Sequence, residues 1–475
     1  MVKKSPVQNQ INMFEIVLSQ MISPDHALVL LAKKINWGIF EREFSRLYSD
    51  TGRPGHPIRM MVGFLMLKQL YNLSDENVVE RWVENPYWQH FTGEIFFKHE
   101  KPFDPSEFVH FRKRIGIQGA ELIFKQSIDI HGEDAKEAEV VVDTTVQEKN
   151  ITFPTDTKLR RKVIEKCMII ANNEGIRLSR TFAKERKAIL LILRFRNNLK
   201  RRGEVKKADK RYLTIAGRIL RELKRELVRM GRIALYADDI EIYERVLAQR
   251  RKDKNKIYSL HEPKVSCIAK GKEHKPYEFG SKVSIATTKT RGIVVGAISF
   301  EGNPYDGNTL APTLDQTERL TGKRPENATC DRGYRGRKVV KTTTVHIPTP
   351  PPKGQTKAQA NAVRKRFRRR TAIEPRISHL KQDYRMGRNF LKGVAGDSFN
   401  LLMATTAWNL RLWIISLSML FTTLRNLLGL ARMNVFTLFS RSSIKILRAR
   451  RWIYSGKNIV AQFSLPNPGW IPNIS

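Results

Sequence analysis

The sequence predicts a mixed α/β, α+β protein in three parts. These are a helical N-terminal domain (residues 1–130), a sheet-containing domain (138–400) interrupted by a long basic helical insertion (158–255), and a helical C-terminal tail (401–475). Three observations carry that expectation. Residues 1–130 read as helices punctuated by Pro and Gly. At 138–145 the run A-E-V-V-V-D-T-T switches abruptly to the β-branched, apolar build of a buried strand, and strand chemistry returns at 280–288 and 292–300. Between these stretches, residues 158–230 hold 24 Lys and Arg against 7 Asp and Glu, together with apolar faces such as Ile189–Leu193 and Ile215, Ile219, Leu223 and Leu227.

Size and charge bound the function. A chain of 475 residues accommodates two to four domains with cores of their own. The 86 Lys and Arg against 46 Asp and Glu give a net charge of +40, spread along the chain, so a polyanion is the expected partner, with nucleic acid ahead of an anionic membrane surface. Cys167, Cys267 and Cys330 lie far apart with no C-x-x-C, which fits a reducing cytosol and excludes a cysteine-built zinc site. The N-terminus lacks the apolar block of a signal peptide. Residues 412–424, the longest uncharged C-terminal run, number 13, short of the roughly 20 needed to span a bilayer, and read as a buried helix.

In the N-terminal part, the turn G-R-P-G-H-P at 52–57 ends on Pro57, which opens a core helix over 58–70. Ser74 caps a helix through Trp82 that ends near Asn85-Pro86. Tyr87, Trp88, Phe91, Phe96 and Phe97 form an aromatic cluster suited to core packing, since their spacing matches no base-stacking platform. Pro105-Ser106 then starts a helix with a basic flank at Arg112, Lys113 and Arg114.

The sheet-containing part begins with the strand that delivers Asp143 at its carboxyl end, where ligands collect in open α/β sheets. The insertion reads as a basic helical hairpin, a clamp for phosphate backbone through cations such as Arg194, Arg196, Arg201 and Arg202. A hairpin (280–288 and 292–300), turn chemistry at 302–307, a helix near 309–320, a strand ending at Asp331 and a short strand at 345–347 follow. A Pro-rich linker (348–354) leads to residues 353–370, which hold eight cations and no acid.

The stretch F-R-R-R-T-A-I-E-P-R-I-S-H-L-K (367–381) sets one carboxylate among cations. On a continuous helix Phe367, Arg370, Glu374 and Lys381 project within about 60° of each other, although Pro375 would kink such a helix or start a new one. Phosphodiester chemistry with a pair of Mg²⁺ (or Mn²⁺) ions about 4 Å apart needs two or three carboxylates on hard-oxygen sites. Asp143 and Asp331 each end a strand, Glu374 lies near a helix start, and the three are the expected metal ligands; Asp156 as a cap, Asp306 as a turn residue, and Asp238 and Asp239, which as neighbours on a helix point in different directions, rank below them.

V-V-D-T-T-V-Q around Asp143, H-K-P-Y-E-F-G-S-K (274–282), C-D-R-G-Y-R-G around Asp331 and I-E-P-R-I-S-H-L-K around Glu374 resemble the blocks of DDE transposases of the insertion-sequence-five type. That family's last acid sits in a signature Y-x2-R-x3-E-x6-K; here Phe367 replaces the Tyr, while Arg370, Glu374 and Lys381 stand at the required spacing. The stretches G-R-P-G-H-P-I-R-M-M-V-G-F-L and L-S-D-E-N-V-V-E-R-W-V-E-N-P-Y-W-Q resemble its N-terminal domain, and the resemblance spans 14–411. Beyond 412 the Leu- and Arg-rich tail has no counterpart, as a run-on or shifted reading frame would give.

The resemblance implies a ribonuclease-H-like catalytic domain in which Asp143, Asp331 and Glu374 hold two divalent ions. It implies Arg370 and Lys381, and with less support Lys282, against phosphates. It further implies terminal inverted repeats and target DNA as partners, a homo-oligomer such as a dimer on DNA, and a bacterial cytoplasmic, nucleoid-associated location. Two other readings stay open on the residues: a terminal-repeat binder without chemistry, and a metal-dependent nuclease that cuts without joining.

Overall fold

The computed structural model describes residues 16–439 apart from 251, 252, 272, 274 and 349–355, and side chains as far as 423. The expectations for the N-terminal segment, His274, the Pro-rich linker beyond 348 and the tail beyond 439 therefore lie outside the described residues. By internal contacts the chain divides into 1–417 and 418–475. Within the second unit the described residues continue an α-helix to Phe439.

The N-terminal helices are α1 (Leu18–Met21), α2 (Ala27–Lys34), α3 (Trp37–Ser45), α4 (Ile58–Leu70), α5 (Asp75–Glu84), α6 (Pro86–Phe91) and α7 (Glu107–Asp129). Pro57 occupies the N-cap of α4, and ten of that helix's residues are buried. Ser74 caps α5, its hydroxyl accepting from the Asn77 amide at 3.1 Å. Asn85 then closes α5 and caps α6, with Pro86 in the first turn, where its missing N–H costs nothing. Trp88 and Phe91 are fully in the core and Tyr87, Phe96 and Phe97 half-buried, so the aromatic cluster is largely packing.

Seven strands form one sheet: β1 (Glu139–Glu148), β2 (Ser266–Ala269), β3 (Tyr277–Thr288), β4 (Val294–Phe300), β5 (Asn327–Thr329), β6 (Val339–Val340) and β7 (Thr343–His346). Their order is β2-β3-β1-β5-β7-β6, with β4 also paired to β3. β3 runs antiparallel to β1, while β5 lies parallel to β1 on its other side and β7 parallel to β5. Gly280 is required where β3 meets β1, because a Cβ there would stand 1.9 Å from the Gln147 carbonyl oxygen.

Between β1 and β2 the chain makes α8 (Asp156–Asn173), α9 (Ala183–Leu193), α10 (Arg202–Arg229) and α11 (Ala237–Ala248). The expected helical hairpin is thus a four-helix unit: Leu159 to Ile257 build a hydrophobic core separate from that of the sheet. Four helices bury apolar stripes that two would leave in water.

After β4 come α12 (Asp306–Thr321), which packs on β4 and begins three residues before the expected start, and, past β7, α13 (Lys357–Arg370), α14 (Ile373–Gln382) and α15 (Gly393–Phe439). The N-terminal helices, the sheet and α15 as far as Ile414 share one continuous core. The start of the expected tail is therefore core, with Leu401, Ala404, Ala407 and Leu410 buried. The expected burial of 412–424 is corrected: beyond Ile414 the apolar side chains of Ile415, Met419, Leu420 and Phe421 are exposed.

Candidate active site

Parallel pairing sets the first two acids side by side. β5 meets β1 through Glu139↔Asn327, Val140↔Ala328 and Val141↔Thr329, and there the pairing ends. Both chains run on in the same direction, so Asp143 and Asp331, each two residues past the last pair, sit level at the opening between them. Asp143 lies inside the ten-residue β1 and not at its end, as expected from sequence; what ends at that level is its partner β5.

The Arg370 guanidinium, at the last residue of α13, stands between the two acids: Nη2 is 3.7 Å from Asp143 Oδ2 and 3.8 Å from Asp331 Oδ2. Its Nε is buried without a hydrogen-bond partner. Burial and then the charge of Asp331 push the Asp143 carboxyl up to about 6, against the pull of Arg370 and the Thr144 amide. Two carboxylates of hard oxygen converging where a cation already sits are a donor set that fits Mg²⁺ or Mn²⁺.

Asp331 Oδ1 accepts from the Gly333 amide at 2.8 Å. A Cβ on Gly333 would stand 2.9 Å from that oxygen and 2.6 Å from Asp306 Oδ2. Asp306, at the start of α12, is itself held by Thr144 Oγ1 at 2.9 Å and Lys282 Nζ at 2.9 Å. Gly333→Ala therefore forces one or both carboxylates aside; a side-chain misplacement of about 1 Å predicts a loss of order 10²-fold in the DNA cleavage expected from the sequence, checked by single-turnover cleavage beside wild-type protein of matched circular dichroism.

Glu374 does not join the pair in this structure. Pro375 lacks an N–H and its ring would strike the carbonyl four residues back, so the helix breaks after Arg370 and restarts at Ile373. The continuous helix expected to carry Phe367, Arg370, Glu374 and Lys381 is thereby interrupted at Thr371–Ala372, and Glu374 lies exposed in the first turn of α14. Among the described residues no three His, Cys, Asp or Glu side chains gather as an ion-binding group.

The expected phosphate-binding cations divide. Lys381 Nζ is 3.8 Å from Glu278 Oε2 and only 21% exposed; burial lowers its pKa. Lys282 is committed: its ammonium donates to Asp306 and, at 2.7 Å, to the Pro304 carbonyl, with 12% of the side chain exposed. In this structure it ties the start of α12 to β3 beside the site. In the insertion, Arg201 forks onto Glu204 at 2.8 and 3.0 Å and lies 4.1 Å over Phe195, and Arg196 bonds Thr157 beside Asp209. Arg194 and Arg202 are exposed.

Sequence reasoning missed Asp306, set aside as turn chemistry, and Lys270, whose charge favours the ionised form of Asp143. It also missed Glu278, whose buried Oε2 has no hydrogen-bond partner. The signal for Lys270 was its place in the basic stretch K-G-K-E-H-K between two strands, and that for Glu278 its place in H-K-P-Y-E-F-G-S-K (274–282); Asp306 had none beyond charge.

A mixed sheet offering acids from adjacent parallel strands, with a helical N-terminal region and helical C-terminus around it, is consistent with the ribonuclease-H-like fold of DDE enzymes. Residues 16–114 match the family described as "Transposase domain (DUF772)", and residues 251–410 match "Transposase DDE domain". A protein of Rhizobium meliloti called "Uncharacterized protein ORF8 in nfe locus" is 43% identical over 184 residues, 38% of this chain and 89% of that protein. No solved structure matches the chain. The chain belongs to the DDE transposases. The second match begins at residue 251, after the last insertion helix α11, so β1 and Asp143 join that domain through strand pairing and not through sequence continuity.

Proposed function

We propose that this DDE transposase is the transposase of a bacterial insertion sequence of the insertion-sequence-five type, acting on DNA in the cytoplasm, bound to the nucleoid as a dimer or other homo-oligomer. In this reading it binds terminal inverted repeats, hydrolyses the phosphodiester at the element's end and joins the freed 3′-hydroxyl to target DNA. The observation that carries the reading is the meeting of Asp143 and Asp331, 188 residues apart in sequence, at one guanidinium of the basic Arg370 segment.

Asp143 and Asp331 would hold the divalent ions, with Glu374 entering as third ligand from the first turn of α14. Bound there, two Mg²⁺ or Mn²⁺ ions activate a hydroxyl and neutralise charge on the attacked phosphate. The chain's own contribution is electrostatic and positional. Burial around Asp143 limits the screening of that acid by water, and Arg370, with Lys270 and Lys381 nearby in charge, presents positive potential where negative charge builds up on the phosphate. The Lys282–Asp306–Thr144 chain of bonds holds α12 against β1 so that Gly333 and Asp331 stay in register with Asp143.

The test uses pre-cleaved duplexes carrying the element's ends, a supercoiled target plasmid and Mg²⁺. Joined donor–target product is expected. Cleavage of intact ends without any joined product would favour a nuclease, and specific binding with neither activity would favour a remnant that only grips its repeats.

A further inference from the structure

The four-helix insertion carries a second basic site, away from the residues named for it so far. A cleft of about 790 Å³ opens between α10 and the segment that precedes α9, lined among others by Arg180, Arg218, Arg221, Glu222, Lys224 and Arg225. Arg218, Arg221 and Arg225 recur three and four residues apart on α10, so they form one stripe on the face opposite the buried Ile215, Ile219, Leu223 and Leu227 of the same helix. Arg180 faces that stripe from the other wall.

The charges in this cleft are left over by the fold. Glu222, the one acid lining it, accepts the Ser179 amide at 2.5 Å and so ties down the wall. Lys224 is paired with Glu244 at 2.6 Å. Arg180, Arg218, Arg221 and Arg225 are exposed, and among the described residues none has a carboxylate within 4 Å. The segment opposite α10 is tied at its start, where Glu174 is held by Arg232 and by the Tyr236 hydroxyl at 2.7 Å, and it enters α9 through Phe182 with the left-handed φ of 51°. Four guanidinium groups gathered in one cleft without a carboxylate within 4 Å repel one another, and only Arg218 has part of that cost offset, by the charge of Glu185.

We infer that this cleft seats the sugar–phosphate backbone of DNA, with Arg218, Arg221 and Arg225 on successive phosphates of one strand and Arg180 closing from the opposite wall. The stripe from Arg218 to Arg225 rises about 10 Å along the helix, roughly three base-pair steps of a duplex at about 3.4 Å each, which is longer than a single phosphate needs. Guanidinium forks match phosphate oxygens in pairs. The inference rests on DNA being the substrate, and it moves the insertion's grip from Arg196 and Arg201, which the fold has already paired, to α10.

Full-length protein is titrated by anisotropy against a labelled mixed-sequence 40-base-pair duplex at several salt concentrations. Arg218→Ala/Arg221→Ala/Arg225→Ala is expected to weaken binding at least tenfold and to reduce the slope of log K against log salt by about 2 to 3, at roughly 0.9 for each phosphate contact. The triple Lys variant, which keeps the charge, should retain most of the slope, and circular dichroism should be unchanged because all three side chains are exposed. A slope and affinity equal to wild type in the triple Ala variant overturn the cleft while leaving the transposase reading intact. Wild-type protein that binds no DNA overturns both, and full displacement of DNA by millimolar inorganic phosphate alone would mark the cleft as a small-anion site and overturn it too.

Discussion

Asp331→Asn is expected to lower DNA cleavage and strand transfer by at least about 10²–10³-fold, the scale of removing one preorganised electrostatic group from a reaction centre. The substitution removes a charge and one ionic ligand yet keeps the shape of the side chain. Its amide oxygen can still accept from the Gly333 N–H, the bond that shapes the turn after β5 at 2.8 Å. Folding and DNA affinity should therefore stay within twofold of wild type. Excision of a marked element from a donor plasmid reads the chemistry, and a gel shift on the same ends reads the binding. Wild-type excision by the variant would remove Asp331 from the reaction and with it the pairing of Asp143 and Asp331 as the reaction centre.

Lys149→Met should be the most damaging single change to stability, by about 3–5 kcal/mol, the usual cost of leaving buried charges unpaired. The Lys149 side chain is 3% exposed and its ammonium stands 2.8 Å from Asp397 Oδ1 and 3.4 Å from Glu262 Oε2. It also donates to the carbonyls of Leu391 at 2.7 Å and Gly393 at 3.1 Å. One cation thus joins the end of β1, the segment leaving the insertion and the start of α15. Burial already raises the Asp397 carboxyl, with Lys149 as the main opposing influence. Urea unfolding of the variant measures the loss, and adding Glu262→Gln and Asp397→Asn should restore part of it by removing the carboxylates that Met strands. Unfolding indistinguishable from wild type would show that water, and not Lys149, compensates the two acids.

The fold was readable to the extent that local chemistry decides it. Ser74, Asn85 and Pro57 punctuate the N-terminal helices where their side chains and missing N–H groups dictate. The alternating run of β3 and the apolar run of β4 form the expected antiparallel hairpin. What went astray went astray for nameable reasons. The insertion's helix count depended on where apolar stripes find partners, and α11 completes a core that the window ending at 230 did not include. The uncharged run after Leu412 reads as interior by composition, yet its side chains past Ile414 face outward because the shared core ends there.

For the site, the sequence by itself determined which acids and cations are available and on which elements they ride: Asp143 and Asp331 on strand chemistry, Arg370 and Glu374 in one basic stretch. Tertiary structure alone decided which of them meet. Parallel register sets Asp143 level with Asp331 across a strand that stops two residues short of both, and no local pattern encodes that pairing. It also set Lys282 against Asp306, a pairing that no local pattern in the sequence announces. The interruption at Thr371–Ala372, four and three residues ahead of Pro375, put Arg370 and Glu374 on two helices where the pattern reads as one, since a missing N–H and a ring clash act on the backbone path before any side chain can choose its partners.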